Sequence, residues 1–318
     1  MNGHDLSTDH TSFLRSLSPE QRRVLNERAD RPGVARLLVQ VALMVVLGGV
    51  IAAPPMALIE MLGSFWPQVL VGLMTLQGVL IVFLFTLLHE VIHRTAFRSR
   101  WLNSAVGWLS GLAIALPPEW FRQFHFAHHR FTHDPDRDPE LAAPSKAGAL
   151  PLLWHVSGIP LWKSNIRTLF RNAAGLCRDD FVPQHCQNRI RWEARVMIGL
   201  YALAIGGSLA VGSSMLLWVW VLPALLGQPF LRLYLMAEHE GCTHSTNMFA
   251  NTRTILTNAV TRWLAWNMPY HAEHHAVPSV PFHRLPALHE LTRPHLQVVQ
   301  KGYLGFWKEV LLRGRPAR

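Results

Sequence analysis

The chain has 318 residues, of which 50% are hydrophobic and 16% charged, where an ordinary soluble domain carries about 25% charged residues. That balance excludes a typical soluble globule. With 12 tryptophans, a residue that gathers at membrane–water boundaries, it points to an integral membrane protein. The formal net charge of +10 fits the Lys/Arg excess of cytoplasmic loops; a docking surface for an acidic partner or anionic lipid is the sharper alternative. No basic run stands clear of the apolar segments, so nucleic acid is not expected as a partner.

In chain order, residues 1–33 are a polar, arginine-rich lead without an apolar signal-peptide core. Within it, Ser18 and Pro19 make a helix start, the serine as N-cap and the proline at the first helical position. Residues 37–53 are apolar apart from Gln40, Pro54-Pro55 follow, and residues 66–88 carry no charge. Each run is long enough for a bilayer, which takes roughly 17–25 residues, so crossings are expected at about 34–58 and 66–88. Residues 101–118 are again uncharged. Residues 196–231 form another uncharged block, which as one helix would extend about 54 Å, too long for a core of about 30 Å. The small residues from Gly206-Gly207 to Gly212-Ser213-Ser214 offer a break, giving crossings at about 193–211 and 214–236. Residues 293–318 read as a tail. Cys177, Cys186 and Cys242 are scattered, with no C-x-x-C, which suits a reducing compartment and argues against a disulfide framework.

The 18 histidines cluster. His89 and His93 stand in HEVIH; His125, His128 and His129 in HFAHH; His271, His274 and His275 in HAEHH; His239 follows the last apolar block. Residues three and four apart share a helix face, so each group can aim at one spot. Neutral imidazole ligates Fe, Zn, Cu and Ni. One zinc takes about four ligands or fewer from protein; eight or nine imidazoles fit two metal ions with open positions. All four groups can meet only if each pair of crossings is a hairpin that returns to its starting side. A single crossing by 101–118 would separate His93 from His125, so that segment is read as re-entrant or interfacial. The hairpin tips near 54–65 and 206–214 lack Lys and Arg, while the segments before 37, after 88 and before 196 are rich in Arg. The expected protein is therefore an all-α integral membrane protein of four transmembrane helices in two hairpins. It has a re-entrant or interfacial helix and a cytoplasmic histidine-rich cap, with both termini cytoplasmic.

HEVIH alone matches the H-E-x-x-H zinc-peptidase pattern, with Glu90 as general base, but that reading leaves both H-x-x-H-H groups idle. A metal transporter would place its ligands along a mid-bilayer path, whereas these sit at helix ends on one side. The order H-x-x-x-H, H-x-x-H-H and a late H-x-x-H-H, with the stretches HFAHHRFTHDPDRDPEL and NMPYHAEHHAVPSVPFHRLP, resembles the membrane-bound fatty acid desaturase and hydroxylase superfamily over about residues 35–292. The resemblance implies a non-haem di-iron centre held by His89, His93, His125, His128, His129, His271, His274 and His275, with His239 at the place of a further ligand. It implies an inner or cytoplasmic membrane enzyme that uses O2 to desaturate a lipid acyl chain, or a hydroxylase or ketolase acting on a lipid or carotenoid. Electrons would come from an external ferredoxin-like or cytochrome-like carrier. The membrane-embedded unit is expected over 34–292.

Ligating imidazoles usually donate their second N–H to an acceptor. Glu90, Glu238, Glu240 and Glu273 lie beside the boxes, and Asn267 belongs to the third-box pattern. Asp134, Asp136 and Asp138 follow the second box, where an exposed Asp-Pro turn is the competing reading.

Overall fold

Two short helices lead the chain, α1 (His10–Ser16) and α2 (Pro19–Leu25), in a computed structural model that describes residues 9–142 and 148–312. Ser18 caps α2 as expected: it accepts from the Gln21 N–H while the Gln21 side chain accepts from the Ser18 N–H. The lead does not hang free. Phe13 is buried edge-on against Phe249, ring centroids 5.7 Å apart, and the His10 N–H donates to Asn247.

Next come α3 (Asp30–Ala52), α4 (Met56–Leu62), α5 (Trp66–Val82) and α6 (Leu84–Ile92). The first long apolar helix stops at Ala52, where the expected crossing runs to about 58. Proline disfavours helical geometry in the residue before it, here Ala53, and supplies no N–H to continue the ladder. The second is interrupted at Phe83 and runs to Ile92, past the expected end at 88. Gln40, the polar exception of the first apolar run, is 1% exposed and donates to the Leu80 carbonyl beside that interruption at 2.9 Å. A polar side chain inside a membrane helix is tolerable when it meets such a carbonyl.

Then follow α7 (Arg100–Ala113), α8 (Pro118–Phe131), α9 (Ala149–Val156), α10 (Ile159–Ala173), α11 (Gln184–Ala210) and, after a π-helical turn at Leu217–Val221, α12 (Leu222–His239). Four stretches, Pro19–Ala52, Met56–Ile92, Gln184–Ala210 and Leu217–His239, are long and apolar enough to cross a membrane. The third starts at Gln184, earlier than the expected 193, and the break before the fourth falls at Gly212–Ser214. Outward-facing Leu38, Val45 and Val46 on α3 and Leu203 and Leu209 on α11 are exposed, as lipid-facing side chains are.

Helix α7 is not among the four. Its 14 residues reach about 21 Å, short of a core of about 30 Å. The carbonyls of its last turn would be costly if left open in an apolar setting. They are met by neighbours: the Tyr201 hydroxyl donates to Leu112 O and the Trp220 indole to Ala113 O, both at 2.7 Å. The tightest helix contact is between α5 and α12 at Gly78 and Gly227. A Cβ on Gly78 would stand 1.8 Å from Pro223 O, and one on Gly227 2.2 Å from Gly78 C, the close backbone approach that small residues permit in membrane helix pairs.

The remainder covers the histidine ends: α13 (Met248–Asn251), α14 (Ala259–Leu264), α15 (His271–Ala276), α16 (Leu285–Thr292) and α17 (Tyr303–Leu312). The fold is not purely α. Strand β1 (Thr254–Leu256) pairs in parallel with β2 (Val299–Lys301), Thr254 opposite Val299. Within the described part of the expected tail, β2 and α17 pack on the fold, with Phe306 buried against Ala237 and Ile255. The main core joins α6, the N-terminal helices and this cover through Leu87, Leu88, Phe249, Trp266, Phe282 and Leu285.

Candidate metal centre

The four histidine groups ride on four elements. His89 lies in the last turns of α6 and His93 is its C-cap; His125, His128 and His129 lie on α8; His239 ends α12; His271, His274 and His275 lie on α15. The fold brings all nine together. One ring nitrogen from each of His89, His93, His125, His129 and His274 lies within 4.8 Å of the others, and the same holds for His128, His239 and His275. His271 joins the second group, its Nε2 3.1 Å from His239 Nε2. The groups abut where the rings of His129 and His275 stack at 4.1 Å.

Within each H-x-x-H-H box, the outer histidines, four apart, go to one group and the middle one to the other. His125 and His129 serve the group of five, and His128 the group of four. His271 and His275 serve the group of four, and His274 the group of five. One helical turn thus feeds both positions.

Nε2 atoms approach in pairs: His93–His125 at 3.0 Å, His125–His129 at 2.8 Å, His128–His239 at 3.3 Å and His239–His271 at 3.1 Å. Two nitrogens bound to one metal at about 2.1 Å, with angles between square and tetrahedral, stand about 3.0–3.4 Å apart. Several ring nitrogens are buried with no hydrogen-bond partner, including both of His89, both of His274 and Nε2 of His275. Buried polar atoms are rarely left so, and a cation between the rings would take the lone pair of one nitrogen from each. The residues present therefore fit a pair of metal ions.

The second nitrogens explain which lone pairs are free. His128 Nδ1 is 3.0 Å from Asp138 Oδ1, which makes Nδ1 the N–H and leaves Nε2 to ligate. The Thr132 hydroxyl donates to the His128 carbonyl at 2.7 Å, so its lone pair receives the His275 Nδ1–H at 3.2 Å. His239 Nδ1 faces the Asn251 carbonyl at 3.4 Å. Burial, reinforced by neighbouring imidazoles, holds His125, His129, His271, His274 and His275 well below the ordinary imidazole value, which keeps them neutral and able to ligate. Burial opposes the charged form of His128 too, but Glu140 and Asp138 outweigh it and its value rises.

The neighbours picked out from sequence part company. Asp138 supports a histidine directly and also accepts from the His133 N–H at 2.8 Å, so it belongs to the centre and not to an exposed turn. Asp134 instead caps exposed Arg137 and the Asp136 N–H. Glu238 Oε2 stands 3.6 Å from His271 Nε2. Glu273 points away from the metal groups, accepting from Thr254 Oγ1 at 2.5 Å and pairing with His289, which fastens α15 to β1 and α16. The Glu240 carbonyl accepts from Arg253. Glu90, fully buried, accepts from the Phe282 N–H at 2.9 Å, and Asn267 donates to the Phe282 carbonyl at 2.9 Å. Both thus hold the segment after the third box and meet no histidine. Asn267 also sits at φ 60°, a left-handed turn that Asn tolerates better than most residues. Thr132 and Asn251 were not expected. Thr132 is readable afterwards, four residues past His128 on the same helix face; the Asn251 carbonyl leaves no mark in the sequence.

A family model described as fatty acid desaturase matches residues 64–308. A sphingolipid delta(4)-desaturase of Drosophila melanogaster is 25% identical over 261 residues, covering 78% of this chain and 74% of that protein. A dihydrorhizobitoxine desaturase of Bradyrhizobium elkanii is 27% identical over 220 residues, 62% of this chain and 60% of the relative. An sn-1 oleoyl-lipid 12-desaturase of Picosynechococcus is 30% identical over 98 residues, 29% and 28% of the two chains. The family match takes in all nine histidines and three of the four membrane-length stretches in full or nearly so, and the chain belongs to the fatty acid desaturase family, a family of oxidoreductases of lipid metabolism.

Proposed function

We propose that the protein is an O2-dependent desaturase that holds two iron ions and introduces a double bond into a lipid acyl chain. The observation that carries this is the division of nine converging imidazoles into two groups. His89, His93, His125, His129 and His274 would hold one ion, and His128, His239, His271 and His275 the other. A reduced iron pair supplied with O2 and two electrons can take hydrogen from an unactivated C–H bond, which no side-chain acid or base can do. The chain's own work is to present neutral nitrogens. Asp138, Thr132 and the Asn251 carbonyl fix three tautomers, and burial keeps bulk water from the ligands. Two of the relatives are named for lipid substrates, which favours a lipid here. The arginine distribution favours a histidine face and both ends on the cytoplasmic side of the cytoplasmic membrane, with residues 34–292 as the embedded unit. Electrons then come from a separate ferredoxin-like or cytochrome-like carrier on that side.

Metal analysis of the purified full chain tests the centre: about two irons per chain are expected for an oxygenase-type pair, and zinc without iron overturns it. Mass spectrometry of lipids from a host expressing the protein tests the reaction. A product lighter by two hydrogens is desaturation; a product heavier by one oxygen is hydroxylation and refutes the double-bond reading.

A further inference from the structure

Beside the metal centre, and separate from it, a cavity of about 380 Å³ lies between the end of α6, α7, the start of α8 and α11. Its lining mixes apolar residues, Val91, Trp108, Trp192 and Val196, with the basic Arg94, Arg122 and Arg189. Two carboxylates share the lining, but both are occupied. Glu193 takes the Glu119 N–H at 2.9 Å at the start of α8, and Glu119 pairs with Arg189 Nε at 3.3 Å. Arg122 donates to the Ile92 carbonyl and lies over the Phe126 ring, which leaves most of its guanidinium N–H donors to the cavity. Arg94 is exposed. With three arginines against two occupied glutamates the lining is basic, with donors to spare and an apolar continuation.

Its level in the molecule is set by its surroundings. Trp192 is 64% and Val196 47% exposed on α11, and Trp101 69% and Leu109 67% exposed on α7. Arg189 and Trp192 precede the uncharged part of α11, the order in which side chains mark the headgroup zone of a bilayer. A cavity of this size suits a small-molecule group and not a protein.

We propose that this cavity binds the phosphate headgroup of an anionic membrane lipid, with the guanidinium groups of Arg94, Arg122 and Arg189 around the phosphate and the first acyl carbons along Trp108, Trp192 and Val196. Arginine matches phosphate through paired N–H donors. The binding is independent of turnover, so its test does not depend on the reaction assigned above.

The test titrates the full chain in detergent with phosphatidylglycerol or phosphatidylcholine and counts bound lipid by native mass spectrometry. One phosphatidylglycerol per chain is expected to bind more tightly than phosphatidylcholine. Arg94→Gln should weaken it about fivefold and Arg94→Gln with Arg189→Gln about thirtyfold, at about fivefold per arginine near a membrane surface. Ser104→Trp, at an exposed lining residue whose hydroxyl bonds only its own helix, should fill the cavity and remove the preferred site. Equal binding of the two lipids, or an undiminished preference in Ser104→Trp, overturns the proposal. Displacement of the lipid by millimolar inorganic phosphate would make this a plain anion site and overturn the lipid assignment. Thermal unfolding checks that Ser104→Trp is folded; if it is not, the exposed-site variant Arg94→Gln decides.

Discussion

Replacing Asp138 with asparagine should loosen one metal ion and spare the other. Asp138 is 4% exposed, and its two oxygens meet three donors: His128 Nδ1 at 3.0 Å and the Glu140 N–H at 3.0 Å on Oδ1, and the His133 N–H at 2.8 Å on Oδ2. Asparagine keeps one acceptor. If its oxygen stays toward His128, its NH2 confronts the His133 N–H, donor against donor. If it flips, the NH2 faces His128 Nδ1, which must then be the acceptor, so the proton moves to Nε2 and the ligand is lost. Losing a hydrogen bond to a charged group costs about 1.5–3 kcal/mol. Removing such a supporting partner typically lowers metal affinity about 10–100-fold, which is about 1.4–2.7 kcal/mol at 1.36 kcal/mol per tenfold, so the two routes to the magnitude agree. The effect is confined to the group of His128, His239, His271 and His275. A chelator titration with metal counting should show one ion released at about 10–100-fold lower chelator and the other at the unaltered concentration. Release of both ions together at the parental chelator concentration would refute the assignment of Asp138 to His128, and prior loss from the group of five would refute the grouping.

His128→Ala and His274→Ala each remove a buried ligand, one per group, and should abolish turnover; unchanged product formation in either removes that residue from the centre. Gly78→Leu must displace the Pro223 backbone and should destabilise the protein by about 1–3 kcal/mol or more. Gly199→Leu, which meets nothing, should leave the melting temperature in detergent nearly unchanged. Equal melting of the two would deny the α5–α12 contact. In chelator-treated protein, the five box histidines held below the ordinary value of 6.5 stay neutral while the unfolded chain takes up protons. Stability is then full above 6.5 and falls as pH drops below it. His128, raised, contributes oppositely; the five are expected to set the sign, and a melting temperature that rises on acidification contradicts it. Glu193→Ala removes the acceptor for the Glu119 N–H and should cost about 0.5–2 kcal/mol, as loss of a helix cap does, read as a lower unfolding midpoint.

Most of the histidine cluster was legible because its signal is local. A histidine four residues from another shares a helix face whatever the fold, and long uncharged runs announce membrane helices regardless of how they pack. The parts that were not legible depend on direction and distance in three dimensions. Glu90 and Glu273 stand beside ligands in sequence, yet on a helix adjacent residues point about 100° apart, and both turn to the opposite side. There they hold Phe282 and His289. The strand pairing of Thr254–Leu256 with Val299–Lys301 joins segments some 45 residues apart by three residues each, too short for any alternation to show. The Asn251 carbonyl acts through its backbone, which any residue possesses.

The two boxes also show why spacing was a correct but incomplete guide. Positions i, i+3 and i+4 fall in one stripe, and a stripe suggests one target. Yet i and i+4 differ in angle from i+3 by enough, about 60° and 100° around the axis, for the middle side chain to lean past its neighbours. With α8 and α15 facing each other, each box can lend its middle histidine across: His128 to the group of His271 and His275, and His274 to the group of His125 and His129. A single box could at most complete one ion's shell. Two facing boxes exchange one ligand each, so neither group closes without both helices in place. Removing His128 or His274 should therefore loosen the contact between α8 and α15 as well as an ion, and hydrogen exchange in α15 should rise in His128→Ala although that residue lies on α8. Protection in α15 that is indifferent to His128 would mean the two helices are held together by their packing alone.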